Sequence, residues 1–79
     1  MYYVHILQSE VDNGRYIGVS DNLKRRLREY NSGSSKYCNS KRPYKLMWCC
    51  IFINKKKAYE FELYLKSSSG YAFTKKHLI

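Results

Sequence analysis

The sequence predicts an α+β domain: a three-stranded antiparallel sheet flanked by helices, in the order β-β-α-β-α with a short final helix. Three observations carry that expectation. Two β-branched and aromatic runs are separated by Asn13-Gly14, the strongest short hairpin signal, because both central positions of a type I′ turn need positive φ. Two later stretches place apolar residues at helical spacing. Between them runs "KLMWCCIFI", apolar on both parities. A sheet with helices packed on it buries these faces together. No repeat or second domain is visible, and 79 residues make one domain, 1–79, with a small core.

The first strand is residues 2–8, "YYVHILQ", rich in residues that suit a pleated surface. Residues 15–19, "RYIGV", form the return strand. Gly18 lies inside it, where a glycine marks close approach by another backbone or a ligand. Ser20, Asp21 and Asn22 are all suitable caps for the first helix, which Leu23 opens and which stops near Asn31, before "SGSS". The stretch 32–44 is a polar loop, long for a compact domain and so a functional candidate. Residues 45–53 read as a strand covered on both faces. Asn54 caps the second helix, and "GYAFTKKHLI" suggests a third, packed by Phe73 and Leu78.

Fifteen Lys+Arg against six Asp+Glu give a net charge of +9. Such a charge speaks about partners rather than fold. Nucleic acid is the first candidate and an anionic membrane surface the second. Nine tyrosines, one tryptophan and three phenylalanines interleaved with the cations suit base stacking together with phosphate contact. The three cysteines provide no disulfide framework. Cys49 and Cys50 are spaced for neither a redox pair nor zinc and read as small core fillers. No segment is apolar enough to span a bilayer, and the N-terminal residues lack a signal-peptide layout. A cytoplasmic, soluble protein is the expectation.

Each main helix carries one ionisable residue on its apolar stripe. Leu23, Leu27 and Tyr30 recur at i, i+4 and i+7, and Arg26 shares their face. Ala58, Phe61 and Leu65 do the same with Glu62. Burying either charge alone is costly. A buried Arg26–Glu62 salt bridge accounts for both. So does a site at the seam, with Arg26 on a phosphate and Glu62 on a divalent cation. His5 and Tyr16 share a surface if the turn sets the hairpin register.

These residues resemble the GIY-YIG nuclease superfamily, most nearly its small stand-alone bacterial members, which look like the N-terminal nuclease module of the bacterial excinuclease and the Slx-type endonucleases. The second motif stands intact as Tyr16-Ile17-Gly18. The first is Tyr3-Val4-His5, eleven residues earlier from His5 to Tyr16. "SDNLKRRLREYNSG" resembles the arginine helix, "KRPYKLMW" the entry to the third strand, and "AYEFELYLKSSSG" the helix with the metal-binding glutamate. The likeness runs from Tyr2 through Leu78. It implies water attack on a phosphodiester, with Tyr16 as general base, Arg26 stabilising the phosphate, Glu62 holding one magnesium or manganese ion, and Tyr30 lining the site. A phenol becomes a useful base beside a cation and a metal. Position 5 departs from the family, with histidine for tyrosine. That change either moves the base role to His5 or weakens the enzyme. Gly70-Tyr71 stands where relatives have glycine-arginine.

The leading expectation is a metal-dependent DNA endonuclease of low sequence specificity on duplex, branched or single-stranded DNA, since phosphate contacts carry no sequence information. Lys24, Arg25, Lys36, Lys41 and Arg42 are the candidate phosphate contacts. The alternative is a catalytically weakened nucleic-acid-binding module on the same fold. A third reading is a small basic partner of an acidic protein.

Overall fold

A computed structural model describes residues 1–32 and 41–79. Its strands are β1 (Tyr2–Ser9), β2 (Arg15–Ser20) and β3 (Tyr44–Phe52). Its helices are α1 (Leu23–Ser32), α2 (Lys55–Lys66) and α3 (Ser68–Phe73), followed by a π-helical segment, Thr74–Leu78. The sheet order is β2-β1-β3, with both neighbours antiparallel to β1.

The hairpin register pairs His5 with Gly18, Ile6 with Ile17 and Leu7 with Tyr16. Opposite residues share a face, so His5, Leu7, Tyr16 and Gly18 lie together on one side. That side packs against α1: Leu7 and Tyr44 are buried there, with Tyr16, Leu27 and Tyr30 around them. The other side carries the larger core. Val4 and Ile6 meet Ala58 and Leu65 of α2, with Trp48, Phe52, Phe61 and Phe73 packed about them. Burying Leu65 fully contributes about 2 kcal/mol, so a core this small holds the fold with little to spare.

The caps follow the sequence. The Asn54 side chain accepts from Lys57 N and begins α2. Among the three cap candidates of α1, Asn22 takes the position: its Oδ1 accepts from Arg25 N at 2.9 Å. Ser67 closes α2 and caps α3 at once, because its Oγ accepts from Gly70 N. A Cβ on Gly70 would meet Tyr64 O at 1.8 Å, so only glycine allows this tight junction.

Four sequence expectations are corrected. The hairpin loop is not a two-residue type I′ turn. Only Asn13 has positive φ, at 61°, and residues 10–14 are closed by Ser9 N donating to Gly14 O and Asn13 N donating to Ser9 O. The doubly covered strand is β1, not β3. β3 is an edge strand whose α1-side residues, Leu46, Cys49 and Ile51, are exposed, because the ten-residue α1 does not extend over them. Cys49 is therefore no core filler, although Cys50 on the α2 side is partly buried and burial pushes its thiol pKa up. Gly18 admits neither backbone nor ligand: a Cβ there would lie 3.0 Å from His5 Nε2. Among the described residues no helix is long and apolar enough to cross a membrane.

Candidate nucleic-acid cleavage site

Three tyrosines form the floor of the α1 side. The Tyr16 and Tyr44 rings meet edge-on at 5.1 Å, Tyr30 and Tyr44 at 5.4 Å, and Tyr16 and Tyr30 at 6.4 Å. Tyr16 comes from β2, Tyr30 from the last turns of α1, and Tyr44 from the first position of β3. Such T-shaped contacts fix ring orientation as well as burying area. A clamp holds the three elements together: Asn31 Oδ1 accepts from Tyr44 N at 2.6 Å, and Asn31 Nδ2 donates to Tyr44 O at 3.1 Å. The side-chain amide thus pairs with β3 as a neighbouring strand would.

Arg26 is not buried. Its side chain is 46% exposed, lies 3.5 Å from Glu29 Oε1, and holds its guanidinium carbon 4.8 Å from the Tyr30 ring centroid. The long side chain lies along the Tyr30 ring and reaches the surface. It meets no Glu62 there. Glu62 sits on α2, across the sheet, 14% exposed and 3.6 Å from Lys66 Nζ. The buried Arg26–Glu62 bridge is therefore ruled out by topology. The two helices do approach each other beyond the edge of β2. A cleft of about 470 Å³ is lined there by Val19, Ser20, Arg25, Arg26, Lys55 and Tyr59. Glu62 stands three residues along α2 from Tyr59, on the same helical face.

His5 is 1% exposed. Neither ring nitrogen has a hydrogen-bonding partner. Burial lowers its pKa below the ordinary 6.5 and outweighs the nearby Tyr3 backbone, which favours the protonated ring without reaching hydrogen-bond geometry; the charge of Arg26 lowers it further. A tyrosine at this position would carry its hydroxyl farther toward the surface than the imidazole reaches.

The other candidate cations divide. Lys41 lies on the tyrosine side, 2.8 Å from Asp12 Oδ2 and within electrostatic reach of Tyr16. Its hydrogen bond to Asp12 raises its pKa and holds the Asp12 carboxyl below the usual range. Ser9 fixes this segment by donating to the Lys41 carbonyl, and Glu10 N donates to Pro43 O. Arg25 pairs with Asp21 at 2.9 Å. Lys24 and Arg42 are exposed. Lys36 lies outside the described residues. Sequence reasoning missed Asn31, Tyr44 and Asp12. Pro43, which marks a strand's first residue, is the one signal that pointed near Tyr44.

Among the described residues no three His, Cys, Asp or Glu side chains gather as a metal cage. Magnesium needs none where one carboxylate, water and a substrate phosphate complete its shell. Glu62 fits that donor set: one partly exposed carboxylate whose recorded ion pair, Lys66, is a flexible surface side chain.

The family model of the GIY-YIG catalytic domain matches residues 1–76. The chain is 37% identical over 67 residues to a UPF0213 protein of Clostridium perfringens, covering 84% of this chain and 71% of that protein. A UPF0213 protein of Bacillus licheniformis is 32% identical over 69 residues, 86% of this chain and 70% of the relative. The solution NMR structure of a UPF0213 protein from Bacillus halodurans matches with a TM-score of 0.58 at 28% identity, covering 96% of this chain and 84% of that one.

Proposed function

The chain belongs to the GIY-YIG family, whose members are typically nucleases that use divalent metal ions, and from that premise we propose that it is a metal-dependent endonuclease hydrolysing DNA phosphodiester bonds with low sequence specificity. Tyr16 takes the proton of the attacking water. Arg26 stabilises charge building on the phosphate. Glu62 would hold one magnesium or manganese ion, which when bound supplies Lewis-acid polarisation of the phosphate. Tyr30 orients both Arg26 and Tyr16. Lys24, Arg25, Lys36, Lys41 and Arg42 steer the backbone of a duplex, branched or single-stranded substrate.

The observation that carries this reading is the exposed Arg26 guanidinium resting on Tyr30, whose ring in turn contacts Tyr16. An arginine built for stability alone would turn to a buried acid. This one is held on an aromatic face and presented outward, beside the phenol that would act as base. The burial of His5 supports Tyr16 rather than His5 in that role, because a proton acceptor must reach the water it activates.

The test is cleavage of labelled duplex, single-stranded, flapped and four-way-junction DNA with magnesium, manganese or EDTA, using wild type, Glu62→Gln and Tyr16→Phe. The expected outcome is metal-dependent nicking by wild type and its loss in both variants, with DNA affinity within about threefold of wild type because phosphate contacts are untouched. Nicking that survives Glu62→Gln removes the metal assignment. The same histidine burial favours one competing reading, a binding module with weakened chemistry. Binding without cleavage in every metal would establish it.

A further inference from the structure

On the face opposite the tyrosines, a cavity of about 560 Å³ opens between β2, the end of α2 and the π-helical segment. Ile17 and Leu65 contribute its apolar wall, and Arg15, Lys66, Tyr71 and Thr74 its polar rim. Two polar atoms here are buried and unpartnered: Arg15 Nη1 and Thr74 Oγ1. Thr74 is only 3% exposed. The Arg15 guanidinium carbon lies 5.6 Å from the Tyr71 ring centroid, and Tyr71 is 58% exposed. The Gly70 junction described above sets Tyr71 in this place.

A buried cationic donor without an acceptor is costly, and so is a buried hydroxyl. Two cations and a hydroxyl converging on one cavity call for an acceptor-rich anion, and a phosphate supplies several charge-assisted acceptors at once. The cavity is far roomier than a lone phosphate, and its walls are apolar beside an exposed aromatic ring, which suits a flat base. We propose that this cavity binds a nucleoside monophosphate, with Arg15, Lys66 and Thr74 holding its phosphate and Tyr71 stacking on its base. The phosphate-bearing nucleoside is either free in solution or the terminal nucleotide of a DNA strand. Because Lys66 also pairs with Glu62, the site lies one helical turn from the proposed metal ligand without sharing its residue.

The experiment is equilibrium titration of the full chain in EDTA, so that cleavage plays no part, with thymidine monophosphate, thymidine, and a short single strand with and without a terminal phosphate. Binding of the nucleotide about tenfold tighter than thymidine is expected, as is a loss of about tenfold in Arg15→Gln, one charge-assisted hydrogen bond's worth. Thr74→Val, which keeps the shape, should weaken binding severalfold, and Tyr71→Ala should weaken the nucleotide while sparing inorganic phosphate. Tighter binding of the phosphorylated strand than of its unphosphorylated twin, lost in Arg15→Gln, supports the strand-end form. Tighter binding of the free nucleotide supports the other form. No binding of either phosphorylated species by wild type at about 1 mM, or unchanged binding by folded Arg15→Gln and Thr74→Val, overturns the proposal. Tyr16→Phe, on the opposite face of the sheet, should bind the nucleotide as wild type does, so loss of nuclease activity and loss of this site are separate results.

Discussion

The His5 ring fills the space that Gly18 leaves across the strand pair, and its burial makes it a pH-sensitive part of the fold. Burial holds its pKa below 6.5. Between the folded and unfolded pKa values the unfolded chain therefore binds the extra proton. Stability is fully present above about pH 6.5 and falls as pH drops from there toward the lower folded value. Replacing His5 by phenylalanine removes the titration and keeps a ring over Gly18. Urea midpoints from pH 7.5 to pH 5 should fall for wild type relative to His5→Phe. Parallel curves would show that His5 titrates alike in both states. Arg26 teaches a different lesson at the same scale. Its position on the stripe with Leu23, Leu27 and Tyr30 was legible in the sequence, but helical spacing gives only a direction. A long side chain at the stripe's edge can lie along an aromatic ring and still reach water, and here the ring and the carboxylate beside it, Tyr30 and Glu29, come from the same helix.

At the scale of elements, α1 contains no buried residue. It is held by the half-buried Leu27 and Tyr30, and by the Asn31 clamp on Tyr44. Asn31→Ala removes two partly buried hydrogen bonds and leaves the Tyr44 backbone N–H and C=O without these partners. The expected loss is about 1–2 kcal/mol, a fall in Tm of about 5–10 °C for a domain of this size. Because Tyr44 also positions the Tyr16 and Tyr30 rings, nuclease rate should fall with stability measured well below the transition. An unchanged rate in the folded variant would separate the clamp from the site. The existence and order of the strands and helices could be read from apolar periodicity, Asn54 and the "SGSS" break. The identity of the central strand could not. Both β1 and β3 are apolar on both parities, and choosing between them depends on which strand α1 and α2 both cover, a fact of packing that no local window contains. The hairpin turn departs from its local sequence for a related reason. Ser9 and Glu10 bond to Lys41 and Pro43, and these distant contacts reshape a loop whose local sequence favours a tighter turn.

For the whole molecule, a charge of +9 places cations on both helices that border the cleft, of which Arg25, Arg26 and Lys55 line it. α1 presents Lys24, Arg25 and Arg28; α2 presents Lys55, Lys56 and Lys57, all exposed. Arg25 is partly offset by Asp21, whereas Lys24 and Arg28 have no recorded ion pair among the described residues. Nucleic acid laid across the cleft would touch both helices, and each phosphate contact releases counterions. Contact with four to six phosphates, a rough count for a surface this small, gives a plot of log affinity against log salt with slope about −4 to −5 on duplex DNA. Replacing Lys24 and Arg28 together by glutamine should reduce that slope by about two, one for each lost phosphate contact, and weaken all sequences alike. Replacing Lys56 and Lys57 provides the comparison. If the bound strand follows only α1, the α2 pair leaves the slope unchanged. If it crosses the edge of β2 from Arg26 toward Glu62, as cleavage by both groups requires, either pair lowers it. The salt slope thus reports whether DNA spans the two sides of the sheet, and it does so without any cleavage being observed.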